Sequence, residues 1–162
     1  MSEASRILVI DDDENIRNVL ATVLKREGYE ADTAKDGKEA IAKSSEAFYN
    51  MALIDIRLPD MEGTKLLSLM PTTTPRMMKV IVTGFPAIEN AIEAISSGVD
   101  AYLTKPVSTE KLLTTVKELL DKQQNEQHNV QDKFYDYVVS RLKEARVNHS
   151  DPTKARSPQT PS

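Results

Sequence analysis

Arg6-Ile7-Leu8-Val9-Ile10-Asp11-Asp12-Asp13 sets an unbroken apolar run directly against three carboxylates. Such a run is expected of a strand buried on both faces, as in a parallel sheet covered by helices. Three later stretches repeat the device. Met51-Ala52-Leu53-Ile54 ends on Asp55, Val80-Ile81-Val82 on Thr83, and Ala101-Tyr102-Leu103-Thr104 on Lys105-Pro106. Ligands of parallel sheets bind outside the carboxyl ends of the strands. If these runs are neighbouring strands, carboxylates, a hydroxyl and an ammonium meet at one edge. Carboxylates suit a hard divalent cation such as Mg²⁺, and a lysine and a threonine beside them can stabilise a phosphoryl group. The chemistry that fits is reversible phosphorylation of an aspartate.

From Arg6 to about Lys122, strand-like and helix-like segments alternate, the pattern of a parallel α/β sheet. Strands are expected at Ile7–Ile10, near Tyr29–Thr33, and at Met51–Ile54, Met78–Val82 and Ala101–Leu103. Asp13 is the expected N-cap of a first helix that turns Ile16, Val19, Leu20, Val23 and Leu24 inward and stops at Gly28. Asp36 opens a second helix with Glu39 as its capping-box partner. Gly63 precedes a short helix through Leu66, Leu67 and Met70. Ile88, Ala91, Ile92 and Ile95 mark one face of a helix ending at Gly98, and Ser108 caps one through Leu112, Leu113, Val116, Leu119 and Leu120. Met61, Met77 and Met78 read as packing or loop residues.

After Leu120 the composition changes. Residues 121–129 are polar, and a further helical pattern follows in Val130, Phe134, Tyr137, Val138, Leu142 and Ala145. With no Pro or Gly between Val107 and Asp151, the fifth helix can continue as one rod, and a break near Asn125–Asn129 is equally allowed. The polar, Pro-rich end of the chain is expected to be disordered. The expected organisation is therefore a phosphoacceptor domain over 5–122, a helical extension over 123–147 and a tail over 148–162.

Bulk properties narrow the class. The formal charge of −4 and the dispersed charged residues leave no basic footprint for nucleic acid. Residues 123–162 hold six Lys/Arg against five Asp/Glu, so the extension is not basic either. The absence of cysteine rules out disulfides, thiol catalysis and thiolate-held metal. No apolar run approaches membrane-spanning length, and no secretory signal is visible at the N-terminus. A cytoplasmic protein is expected.

Each motif has a plain alternative when taken singly. An acidic run after a strand is often a solvated turn or helix cap. Asp55 can be a first-turn residue, Thr83 can satisfy loop backbone, and Lys105 can be a surface lysine. The combination is stronger, because four strand ends supply complementary roles in a fixed order.

The chain resembles the response-regulator receiver domains of two-component signalling across roughly residues 5–122. The matching motifs are Ile7-Leu8-Val9-Ile10-Asp11-Asp12-Asp13, Ala52 to Gly63 around Asp55 and Pro59, Ile81-Val82-Thr83-Gly84, and Ala101-Tyr102-Leu103-Thr104-Lys105-Pro106. The resemblance implies an α/β, flavodoxin-like (βα)5 doubly wound parallel sheet in strand order 2-1-3-4-5, with a cis Lys105–Pro106 bond. It implies that Asp55 is the phosphoacceptor, taking its phosphoryl group from a sensor histidine kinase, a phosphotransfer protein or a small donor such as acetyl phosphate. Asp12, Asp55 and the backbone carbonyl of Arg57 would ligate Mg²⁺, with Asp11 acting mainly through a water on the ion. Lys105 would pair with a phosphoryl oxygen. Thr83 would swing inward with the backbone N–H of Gly84, and Tyr102 would be the aromatic that moves with it. Arg57 and Phe85 would flank the phosphoryl group, shield it from water and slow self-dephosphorylation. An unchanged hydrolysis rate in the Arg57→Asn, Phe85→Ala double variant would refute that last idea.

Such a protein is a signalling phosphoacceptor rather than an enzyme acting on other substrates. About 40 residues after 122 are too few for a DNA-binding output, which favours a stand-alone receiver acting by partner contact, relay or dimerisation. The alternative is the receiver of a longer regulator with an effector beyond Ser162. For the helix at 130–147, three readings stand open: pairing in a homodimer, docking on the chain's own receiver, or binding an unknown downstream protein in a groove. A haloacid-dehalogenase-type phosphatase is the main rival from another class. That chemistry wants an aspartate two residues after the nucleophile, where this chain has Arg57. A flavodoxin-like cofactor site lacks the phosphate loop it would need after the first strand.

Overall fold

The computed structural model describes residues 3–84, 87–96 and 98–149. Alternation of strand and helix runs through it as β1 (Arg6–Ile10), α1 (Glu14–Arg26), β2 (Glu30–Ala34), α2 (Gly37–Glu46), β3 (Met51–Ile54), α3 (Gly63–Leu69), β4 (Met78–Thr83), α4 (Ile88–Ser96), β5 (Ala101–Thr104) and α5 (Thr109–His149). The chain divides after Gln124 into two compact units.

The first unit is a five-stranded, wholly parallel sheet in the order β2-β1-β3-β4-β5. Side chains of a strand alternate between faces, and the apolar runs fill both. Ile7, Val9, Met51, Leu53, Val80 and Val82 face a core closed by Leu20 and Leu24 of α1 and Leu112, Val116 and Leu119 of α5. Leu8, Ile10, Ala52, Ile54 and Ile81 face the other side, closed by Ala40 of α2, Leu66 and Leu67 of α3, and Ala94 of α4. Burial on both faces is why these strands read as continuous apolar runs.

The helix ends are built as the sequence leads one to expect, with one variation. Asp13 accepts from the Ile16 N–H at 3.2 Å and Asp36 from the Glu39 N–H at 2.8 Å. Gly28 and Gly98 take the left-handed conformation, at φ 97° and 86°, that lets α1 and α4 stop. The Glu39 carboxylate, however, reaches the Lys35 N–H at 3.4 Å, one residue before the cap. The N–H groups of Gly37 and Lys38 are instead taken by Asp60 from the loop after β3, each at 2.9 Å.

Three corrections to the simple pattern are needed, and of these residues only Val19 was expected to face inward. Val19 is exposed, because α1 turns Leu20, Ala21 and Leu24 onto the sheet and leaves Val19 at the rim. Ile92 and Ile95 of α4 are exposed too, and the small Ala94 makes the contact with the core. A periodic apolar stripe does not say which of its edges meets the sheet. The third correction concerns Gln123, which lies in the polar stretch yet is buried. Its amide donates to the carbonyls of Asn50 at 2.9 Å and Arg76 at 2.8 Å, and accepts from the Asn50 side chain at 3.1 Å. The first unit accordingly runs to Gln124.

In the second unit α5 continues without a break to His149, so Asn148 and His149 of the expected tail are helical. Val130, Phe134, Tyr137 and Leu142 are exposed there. The rest of that tail, 150–162, lies outside the described residues.

Candidate functional site

Strand register places the reactive residues. Ile10 lies opposite both Ala34 and Ile54, Ile54 opposite Ile81, and Thr83 opposite Thr104. The carboxyl ends of β1 and β3 are therefore level, β4 and β5 end level with each other two residues further along, and all four open on the same edge of the sheet. Backbone bonds continue the ladder one step further, from the Asp11 N–H to the Ala34 carbonyl, Asp55 to Ile10, and Lys105 to Thr83.

At that edge Asp11, Asp12 and Asp55 each offer a carboxylate oxygen, all within 4.8 Å of one another. Asp11 and Asp55 are buried and Asp12 is exposed. The Lys105 ammonium donates to Asp11 Oδ2 at 2.6 Å and to Asp55 Oδ2 at 3.0 Å. Burial is the largest influence on Asp11 and pushes its carboxyl above the ordinary range, although Lys105 and the Asp13 N–H pull the other way. Burial also opposes the charge on Lys105. The hydrogen bonds and attraction of Asp11 and Asp55 outweigh it, so the ammonium holds its proton more firmly than a free lysine.

Local sequence explains how Asp55 is held. The chain turns sharply after β3, with the Gly63 N–H on the Ile56 carbonyl at 2.6 Å. A Cβ at Gly63 would fall 2.2 Å from the Asp55 carbonyl oxygen, so only glycine lets α3 start this close to Asp55. The Arg57 N–H donates to Asp55 Oδ1 at 3.2 Å, while the Arg57 side chain is exposed.

The expected residues fall at the site to different degrees. Asp11, Asp12, Asp55 and Lys105 meet directly. Gly84 lies beside the Lys105 side chain, which would sit 3.9 Å from a Cβ there. Thr83 is fully buried at the end of β4. Tyr102 is half-buried against the second core, and its hydroxyl is buried with no hydrogen-bond partner among the described residues. Burial raises its phenol above the usual value. The Lys105–Pro106 bond is cis, as the resemblance implies, and so is Thr74–Pro75, which was not expected. Phe85 lies outside the described residues.

Two contacts beside the site carried no sequence signal. Arg17, one turn into α1, donates to the Asp11 carbonyl at 2.8 Å. Val19 lines a cavity of about 450 Å³ between α1 and the loop Pro106–Val107, with Lys105 in its wall. Periodicity reports faces of elements and is silent on such contacts between them.

A domain model described as the response regulator receiver domain matches residues 7–117. The chain belongs to that family. Among solved structures, this receiver is similar to a CheY-like response regulator receiver domain protein from Methanospirillum hungatei JF-1, at 42% identity and TM-score 0.73. The match covers 76% of this chain and 99% of that one. It is 32% identical over 123 residues to the regulatory protein AtoC of Escherichia coli K12, covering 76% of this chain and 27% of AtoC. It is 35% identical over 114 residues to the transcriptional regulatory protein ZraR of Klebsiella oxytoca, covering 70% of this chain and 26% of ZraR. The receiver thus spans about a quarter of the length of these two curated relatives. Among the described residues no helix is long and apolar enough to cross a membrane.

Proposed function

We propose that this receiver is a Mg²⁺-dependent phosphoacceptor switch, with Asp55 the residue that takes the phosphoryl group. The observation that carries the reading is the meeting of three carboxylates within 4.8 Å with an ammonium bonded to two of them. The donor set fits the ion, because hard divalent cations take carboxylate and carbonyl oxygens. Asp11, Asp12, Asp55 and the Arg57 carbonyl would hold it. Bound there, Mg²⁺ offsets the charge that collects on the phosphoryl oxygens.

The remaining work falls to the chain itself. An Asp55 oxygen attacks phosphorus, an O–P bond forms, and the P–N bond of a phosphohistidine donor breaks, the imidazole keeping the electron pair and taking up a proton. Lys105 already reaches the Asp55 carboxylate and would follow the new phosphoryl oxygen, giving up one of its present partners. The Thr83 hydroxyl and the Gly84 N–H are the donors that would bind the phosphoryl oxygens. Tyr102, whose hydroxyl gains no bond where it lies, would change position with Thr83. The Arg57 side chain would shield the phosphoryl group from water.

The donor would be a sensor histidine kinase or phosphotransfer protein, and the output contact with another protein. A second reading has a specific support: AtoC and ZraR extend far beyond the matched segment, as expected if this receiver controls an effector within a longer regulator.

The test is intact mass after incubation with acetyl phosphate. One phosphoryl adduct is expected with Mg²⁺, and none after chelation or in Asp55→Asn. An adduct that persists in Asp55→Asn would move the acceptor elsewhere and overturn the assignment.

A further inference from the structure

We propose that the second unit is a homodimerisation helix in which α5 pairs with α5 of a second copy in antiparallel orientation. At 3.6 residues per turn, Val130, Phe134, Tyr137, Val138 and Leu142 fall on one stripe. All are exposed, Phe134 by 67% and Leu142 by 61%. A helix in water gains most of its stability by packing an apolar face, and this one presents two aromatic rings on that face.

Three observations select the occupant and its direction. The first is charge along the helix. Residues 125–136 hold Glu126, Asp132 and Asp136 against Lys133, whereas 137–149 hold Arg141, Lys143 and Arg146 against Glu144. The first half is acidic and the second basic, so the segment is complementary to its own reverse. The second is spacing. Reversing the helix about Tyr137–Val138 brings Val130 level with Ala145 of the second copy, Phe134 with Arg141, and Tyr137 with Val138.

Arg141 is the third observation. It sits within the stripe, its guanidinium 5.4 Å from the Tyr137 ring centre and its Nε 3.4 Å from the Tyr137 hydroxyl. A parallel, in-register pair would set Arg141 against Arg141, two like charges in the seam. The antiparallel pair sets it against an aromatic ring, where a guanidinium is favourable. Lys133 and Glu144, about three turns apart on one edge of the stripe, then come within reach of each other across the interface, twice by symmetry.

Sedimentation velocity on the full chain tests the pairing. So few apolar side chains per helix place the contact at the small end of specific interfaces, and the expected dissociation constant is on the order of micromolar. Phe134→Asp with Leu142→Asp should weaken it about thirtyfold or more. Lys133→Glu alone should weaken it about threefold, and adding Glu144→Lys should restore it. Dimerisation should survive Asp55→Asn, which keeps the result separate from phosphoacceptor chemistry.

The cysteine-free chain allows a direct test of orientation. Mixed Lys133→Cys and Glu144→Cys proteins should form disulfides chiefly between the two variants. Three results would overturn the proposal. They are a monomer throughout, which leaves the stripe to another protein or to the chain's own receiver; a dimer indifferent to the stripe substitutions; and self-crosslinking of each cysteine variant as efficient as crosslinking between them.

Discussion

Gly63 and Asp55 show how a single backbone position governs the site. Any Cβ at 63 meets the Asp55 carbonyl, which is backbone and cannot step aside cheaply. Gly63→Ala is expected to cost about 2–3 kcal/mol by overpacking and to reduce phosphoryl uptake by shifting Asp55; denaturant midpoints and adduct yield read the two effects. A second residue-scale prediction concerns pH. The Tyr49 hydroxyl donates to Asp32 Oδ2 at 2.7 Å, and Arg6 donates to the same oxygen at 3.0 Å. The Tyr49 hydrogen bond is the main cause holding Asp32 below the usual carboxylate range. Burial first, and then Asp32, push the Tyr49 phenol up to about 12. The depressed Asp32 stabilises the fold above its unfolded pKa, and that contribution is lost as pH falls through the lower folded value. The raised Tyr49 stabilises it below about 10, and the benefit, on the order of 2–3 kcal/mol, is lost as pH rises toward 12. Tyr49→Phe should flatten both limbs of a plot of urea midpoint against pH. Unchanged limbs would remove this pair from the pH response.

Among the elements, α5 depends on one polar residue as much as on its apolar ones. Gln123 is held by the Asn50 side chain and by two backbone carbonyls at the amino edge of the sheet, opposite the edge that holds Asp11 and Asp55. Gln123→Ala leaves buried polar groups short of partners and should cost about 1–3 kcal/mol. Gln123→Glu is expected to be no better, since it replaces two donated hydrogen bonds with repulsion between oxygens. Thermal unfolding of both variants checks this, and a loss confined to Ala would point to side-chain volume instead. Gln123 lies in a stretch that composition marks only as polar, so the sequence hid it. The exposure of Val19, Ile92 and Ile95 has a related reason. Hydrophobic period finds an apolar stripe, and helix rotation and the size of neighbours decide which edge of it is covered.

At the scale of the whole chain, the two units are expected to carry separate tasks. A chain ending after Gln124 should melt within about 3 °C of the full length, because the core and the Gln123 contacts are complete by then. A chain ending after Leu119 should melt well below it. Equal melting of the two shorter chains would show that Gln123 contributes nothing. The same comparison separates acceptor chemistry, expected to be intact in the chain ending at Gln124, from self-association, expected to be lost with 125–149.

The five-stranded parallel sheet was written in the local pattern itself. Short apolar runs, four of them leading into a polar residue and all alternating with helical segments, admit few arrangements other than a covered parallel sheet. The meeting of Asp11, Asp12, Asp55 and Lys105 was legible for the same reason, since strand ends of a parallel sheet converge. Tertiary structure alone decided the partners: that Lys105 bridges Asp11 and Asp55, that Arg17 holds the Asp11 carbonyl, that Asp60 caps α2, and that Gln123 closes the opposite edge. These contacts join residues far apart in the chain or on different elements. Periodicity and capping rules act over a few neighbouring residues, so they specify elements, while the packing of those elements chooses which distant polar groups meet.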